Sequence, residues 1–219
     1  MSIVQSLLKS RGPSEFDPFY SDVVFLAGFE SSLNEDKTGR VATPNNAVRS
    51  TARSRYGLAS LLRSGSNSNG ASYPATGDLA LGTSDFTIEL SHWVSSIPGN
   101  STILSLGNWR FYWSQSATAQ LVFEHIGVAS ATTSSVSPLS AGVWNDIAVV
   151  RSAGIVSIYV NGTRLIQDFV TGNLTSSGVL QALGVDNQEA NLDEIRITRN
   201  VARYTGASYT VRTDPFPRQ

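Results

Sequence analysis

The sequence predicts an all-β fold, a β-sandwich or jelly roll, behind a short N-terminal arm. Three observations predict it. Many short segments alternate apolar and polar residues with a period of two, as half-buried strands do. Tight-turn residues separate them, the strongest signal being Asn161-Gly162. Charged residues make up only 15% of the chain, and Ser, Thr, Asn and Gly fill the difference. That mix suits polar sheet faces and many turns, and suits a helical bundle poorly.

Residues 1–16 (MSIVQSLLKSRGPSEF) stand apart from the rest. Ile3, Val4, Leu7 and Leu8 have helical spacing and would form a short apolar stripe, which Arg11-Gly12-Pro13 stops. A helix this short is marginal alone. The segment therefore reads either as a frayed terminus or as an arm that orders on a partner or a neighbouring copy. The sandwich domain then occupies residues 17–219.

Residues 22–29 (DVVFLAGF) form a nearly continuous apolar run, as a buried strand would. Phe86, Ile88 and Leu90 alternate with Thr87, Glu89 and Ser91. Residues 102–106 and 109–113 flank Gly107-Asn108, a hairpin turn. Residues 121–125 are a further strand. Residues 144–151 and 155–160 are joined by a short glycine-containing turn, and Asn161-Gly162 returns the chain into 163–166. Residues 179–185 and 192–198 complete the set, and no internal repeat is visible. Residues 64–72 (SGSNSNGAS) read as a flexible loop. In the last strand, NLDEIRITR, simple alternation puts Asp193 on the face of Ile195 and Ile197. A bare carboxylate there is too costly, so Asp193 must be paired, hydrogen-bonded or metal-bound.

With 219 residues and 41% apolar content, one large β domain can bury a sizeable core. The net charge of −1 gives no global field for nucleic acid or an anionic membrane. The absence of cysteine excludes disulfides and thiolate metal sites. The N-terminus has no signal-peptide pattern and no stretch is long enough to span a bilayer, so the sequence reads as a soluble protein without a classical export signal. One region is locally charged: residues 37–77 hold Lys37, Arg40, Arg49, Arg53, Arg55 and Arg63 and no acid. Either this is a solvated loop region balancing acids elsewhere, or it makes an anionic contact with a partner protein, a glycan acid or phosphate.

Catalytic patterns are weak. Glycoside hydrolysis needs two carboxylates across a cleft. Glu35-Asp36 and Asp193-Glu194 are adjacent pairs that diverge on a strand, and Asp85 and Glu89 share a face only if both lie within one. His92 and His125 lie on different strands without metal-ligand spacing. No nucleophile elbow or phosphate-binding loop occurs. Trp93, Trp109 and Trp113 are candidates for stacking on sugar rings. Trp109, Phe111 and Trp113 share one strand face, and one face of that strand must be core.

Five stretches in order carry a resemblance: DPFYSDVVFLAGFE (17–30), RYGLASLL (55–62), GTSDFTIEL (82–90), WNDIAVVRSAGIVSIYVNGTRL (144–165) and LDEIRITRNVARYTGASYTVRTDPFP (192–217). Together they resemble the concanavalin A-like, laminin G-like jelly roll of phage virion and tail structural proteins. The resemblance implies two curved antiparallel sheets packed face to face and puts Trp144 in the core, at the start of a central strand. One departure is that Ser91-His92 precede Trp93-Val94, where the family usually runs straight into an aromatic-Val pair. Some relatives bind calcium near the end of the first strand and the start of the last, and the matching positions are Glu30 and Asp193.

The resulting expectation is a non-enzymatic component of a phage particle, a capsid decoration or tail-associated protein made in the host cytoplasm and resident in the virion. It would adhere to other virion proteins or to its own copies. Contacts are expected from Ile3, Val4, Leu7 and Leu8 of the arm, from Arg49, Arg53, Arg55 and Arg63, and from residues 204–219. The alternative is a carbohydrate-binding, lectin-like module that attaches to a cell-surface glycan.

Overall fold

The computed structural model describes residues 16–65, 69–97, 99–114, 120–133 and 139–219, so Ile3, Val4, Leu7 and Leu8 lie outside the described residues. Among the described residues no helix is long and apolar enough to cross a membrane. Two antiparallel sheets face each other. The larger has eight strands. Its order is β13 (Thr163–Phe169), β12 (Ile155–Val160), β11 (Asn145–Ser152), β6 (Phe86–Val94), β15 (Glu189–Arg199), β4 (Ser60–Ser64), β3 (Ala47–Ser50), and β1 (Val23–Ala27) pairs with the second half of β15. The smaller sheet has seven strands. It runs β10 (Ala129–Thr132), β9 (Gln120–His125), β8 (Trp109–Ser114), β7 (Ser101–Leu106), β14 (Val179–Ala182), β5 (Ala71–Pro74), β2 (Thr43–Pro44).

Period-two alternation builds the core between them. Phe86, Ile88 and Leu90 of β6 and Trp109, Phe111 and Trp113 of β8 are all buried in one cluster. Phe123 stacks on Trp109 at 5.8 Å between ring centroids, and Phe25 meets Tyr73 edge-on at 4.9 Å. Each fully buried apolar side chain of this size is worth about 1.5–3 kcal/mol of transfer free energy. The Asn161-Gly162 hairpin forms as predicted, with both residues at positive φ (49° and 81°), the pairing a type I′ turn requires. Gly162 has a second constraint: a Cβ there would stand 2.4 Å from the Tyr209 carbonyl oxygen.

Three expectations change. The basic region 37–77 is no loop, since it contains β2, β3, β4 and β5. Trp144, just before β11, is half-buried and is not among the buried core residues. In β15 the alternation is broken by a bulge: the register shifts between Asp193 and Arg196, and Glu194 takes a φ of 50°. The extra residue puts Asp193 on the outer face, opposite Ser91, while Ile195 and Ile197 stay in the core. The acid never shares a side with the two isoleucines.

Residues 200–219 form no strand, only a single bridge between Thr163 and Ser208. They lie over the outer face of the eight-stranded sheet. Ala202, Tyr204 and Tyr209 pack on Ala148, Val150 and Tyr159, and Phe216 packs on Val23 and Leu26. The Asp17 N–H donates to the Gln219 carbonyl at 3.2 Å, so both ends of the described domain meet on this side.

Candidate functional site

The two outer faces of the sandwich differ. Among the described residues, the outer face of the seven-stranded sheet keeps a central row that is not buried. The ladder registers set one residue from each strand into a single row: Thr43, Ser72, Gln181, Ser105, Arg110, Glu124 and Ser130. All seven are polar and none is buried. Six interstrand steps make the row about 29 Å long. Arg110 Nε donates to Glu124 Oε2 at 2.5 Å, so the two charges cancel within the row. Burial pulls on the Arg110 guanidinium, but Glu124 outweighs it and holds its pKa above the ordinary value. The guanidinium carbon also lies 4.2 Å from the Tyr112 ring centroid, and this half-exposed ring flanks the row. The Gln181 amide donates to the carbonyls of Ala71, Ala182 and Leu183 at 3.1–3.2 Å, which leaves its oxygen as acceptor. On the other flank stand Pro74 and Val179, paired across strands and both exposed. The face thus offers hydroxyls, an amide, a neutralised ion pair and a ring.

The eight-stranded sheet carries a cluster of charges on its outer face, and residues 200–219 pack over part of that face. Arg196 donates to Glu89 at 2.7 Å and to Asp17 at 2.9 Å. Arg203 makes a two-pronged contact with Asp17 at 2.9 and 2.8 Å, and the Tyr204 hydroxyl donates to Glu89 at 2.6 Å. Burial works to raise the Asp17 carboxyl, but the Arg203 hydrogen bond and the two arginine charges keep it below its ordinary value. Burial, then Glu89, raises the Tyr204 hydroxyl. Glu194, turned out by the bulge, accepts the Phe216 N–H at 2.8 Å and a fork from Arg218 at 3.1 and 2.7 Å.

The predicted site residues fall on both sides of this division. Trp109 and Trp113 are fully buried on the inner face of β8, so neither can stack on a sugar. Trp93 is half-buried on the outer face of the large sheet, with the Arg53 guanidinium 3.4 Å from its ring centroid. The calcium positions are occupied by N–H donors. Glu30 accepts from Leu58 N–H at 2.9 and 3.1 Å, and Asp193 Oδ2 from Arg55 and Tyr56 N–H at 2.7 and 2.9 Å. Calcium takes six to eight oxygens. Among the described residues no group of three or more acids or histidines that could hold a metal ion occurs. Burial pushes the Asp193 carboxyl up to about 7, against the Tyr56 and Arg55 N–H bonds that lower it.

The basic partner candidates are tied internally. Arg49 donates to the Phe29 carbonyl at 2.8 Å and to the Glu30 carbonyl. Arg53 binds Glu189 and Asn191, and Arg55 binds Asp146. Arg63 is 1% exposed and donates to the Gly184 and Gln188 carbonyls, so it cannot meet a partner. His92 is buried and kept neutral, its pKa driven down to about 3 by burial and by Arg63. His125 is held between the Thr171 carbonyl and Asn108. Asp85 and Glu89 separate: Asp85 caps the Ala153 N–H while Glu89 faces Arg196. The polar row was missed because Ser, Thr and Gln carry no motif; only the assembled registers align them.

The chain belongs to the concanavalin A-like lectin/glucanases superfamily, whose sequence profile matches residues 66–202. Among solved structures it is similar to the binding domain of Paraclostridial Mosquitocidal Protein 1 (14% identity, TM-score 0.68, covering 84% of this chain and 50% of that one). It is also similar to the binding domain of botulinum neurotoxin serotype G (13%, 0.64, 84% and 49%). A third is domain 4 of AbnA, an extracellular arabinanase of family GH43 from Geobacillus stearothermophilus, in complex with arabinotriose (14%, 0.64, 83% and 94%). The chain spans about half the length of the first two structures. At these identities the likeness is one of fold. No curated protein matches the chain.

Proposed function

We propose that the protein is a binding module, acting without catalysis, that recognises carbohydrate through the open face of its seven-stranded sheet. The carrying observation is the row of seven uncovered polar side chains, one from each strand. Sugars present hydroxyl edges and apolar ring faces. The row supplies donors and acceptors for the edges, and Tyr112 supplies a ring for the faces. Within the row Glu124 is the one carboxylate, and it is already paired with Arg110. Two carboxylates placed for glycoside hydrolysis are therefore not supplied by the row. The fold is used for binding in the two toxin domains, and the AbnA domain is in complex with arabinotriose.

The test is calorimetric titration with a panel of neutral linear oligosaccharides, arabinotriose among them. At least one should bind. Tyr112→Ala and Gln181→Ala should each weaken it by about tenfold, or about 1.4 kcal/mol, with the melting temperature held. A panel with no binder, or binding indifferent to both substitutions, overturns the reading.

A second reading, a component of a phage particle adhering to virion proteins or to its own copies, is favoured by the five ordered stretches resembling phage virion and tail domains. The two readings are compatible: a binding module carried in many copies would gain avidity. Mass spectrometry of purified particles tests it, and absence of the chain from them sinks it.

A further inference from the structure

The outer face of the seven-stranded sheet carries a second ordered feature beside its polar row. Two positions before Gln181 stands Val179, paired across the ladder with Pro74, two positions after Ser72. Alternation keeps all four on one face. Val179 is 48% exposed and Pro74 is exposed, while Leu180 and Tyr73, which separate them from the row along each strand, are core residues at 0%. On the other side of the row, two positions after Arg110, stands the half-buried Tyr112. The two apolar surfaces therefore flank the row diagonally. From Val179 to Tyr112 is two interstrand steps and four residues along the strands, about 16 Å. Gln181, Ser105 and Arg110 lie between them on successive strands.

The diagonal is polar in the middle and apolar at both ends. The Gln181 amide is fixed by three carbonyls, so its oxygen is set as an acceptor before any ligand arrives. Ser105 adds a hydroxyl, and Arg110 with Glu124 adds polar groups without net charge. On the reading of this face as the carbohydrate site, we infer that the protein selects neutral linear glycans of four residues or more, laid obliquely across β14, β7 and β8. One end ring of the bound stretch rests on Pro74 and Val179, the other on Tyr112. A glycan repeat is about as long as one interstrand step, so three repeats carry a ring from one platform to the other. The two middle sugars present their hydroxyls to Gln181, Ser105 and Arg110. A straight course along the row passes beside both platforms without covering either. The oblique course buries apolar surface at both ends, and such burial is a favourable term that hydroxyl contacts alone do not supply. A disaccharide reaches only one platform.

The full chain is titrated calorimetrically with arabino-, cello-, manno- and xylo-oligosaccharides of two to six residues. In the series that binds, affinity should rise at least about tenfold from disaccharide to tetrasaccharide and change less than about twofold from there to hexasaccharide. Val179→Ser should weaken the tetrasaccharide about fivefold while the melting temperature stays within a few degrees. The disaccharide, held at Arg110 and Tyr112, should be indifferent to that change. Val179→Leu keeps the platform apolar and should retain the wild-type affinity. Three results overturn the inference and leave the carbohydrate reading standing: affinity that is flat with length, affinity that keeps rising to the hexasaccharide as a straight course along the row would give, or a tetrasaccharide bound equally well by a folded Val179→Ser protein. Absence of a binder in every series overturns both.

Discussion

The two outer faces of this sandwich are built by the same alternation and end in opposite states. The face of the eight-stranded sheet carries Asp17-paired Arg196, Glu89, Asp146, Asp193 and the bulged Glu194, and residues 200–219 close over much of it. The face of the seven-stranded sheet carries hydroxyls, an amide and one self-cancelling ion pair, and among the described residues none of its central row is buried. The charge-rich face is the one the molecule satisfies internally, because buried charges demand partners. The charge-poor face is the one left for a ligand. A basic stretch in sequence is thus a poor guide to a binding surface here: Arg49, Arg53, Arg55 and Arg63 all have partners within the chain.

Removing one arginine from each face should sharpen the contrast most. Arg196→Ala takes from Glu89 its close guanidinium and from Asp17 one of its two arginines in a buried layer, and should cost about 3 kcal/mol in urea unfolding. A loss below about 1 kcal/mol would mean that the covered face is wet. Phe216→Ala comes next. Its ring is 5% exposed, packs on Val23 and Leu26, and lies 3.7 Å beneath the Arg196 and Arg212 guanidiniums. About 3 kcal/mol should be lost, with proteolysis opening first within residues 200–219.

A pH series gives a smaller effect. The Asp193 carboxyl stands at about 7 in the folded chain against 3.8 ordinarily. Between these values the folded state keeps a proton that the unfolded state has released. This contribution is present in full below about pH 4, and it is lost as pH rises to about 7. Asp193→Asn removes that slope, so the variant should gain on the wild type between pH 5 and pH 8 (approximate bounds for a carboxyl so raised) in matched urea titrations. A fixed difference across the range contradicts the burial of Asp193. The smallest effect belongs to the open face. Arg110→Ala breaks an exposed pair and should shift stability by less than about 1 kcal/mol, while weakening carbohydrate binding.

Much of the fold was legible. Phe86, Ile88 and Leu90, the Asn161-Gly162 turn and the apolar run 22–29 all say strand or turn by local pattern, and local pattern held. Short strands such as β2 and β5 escaped because two to four residues are too few to establish a period. The face of Asp193 was misread because a one-residue bulge has no compositional signature when a glutamate, not a glycine, takes the positive φ. Trp109 and Trp113 were ambiguous for a simple reason: alternation groups residues by face without saying which face is inside. Three of the six pairings in the polar row, β2–β5, β5–β14 and β14–β7, join strands far apart in sequence, so no window of sequence contains it.

The most direct test of the central claim is an amide chemical-shift map of the isotope-labelled chain, titrated with the strongest neutral oligosaccharide from the panel. Perturbations should gather on Ser72, Ser105, Arg110, Tyr112, Glu124 and Gln181, and residues 200–219 should stay still. Shifts concentrated on residues 200–219 and β1, with the seven-strand row unmoved, would contradict the account.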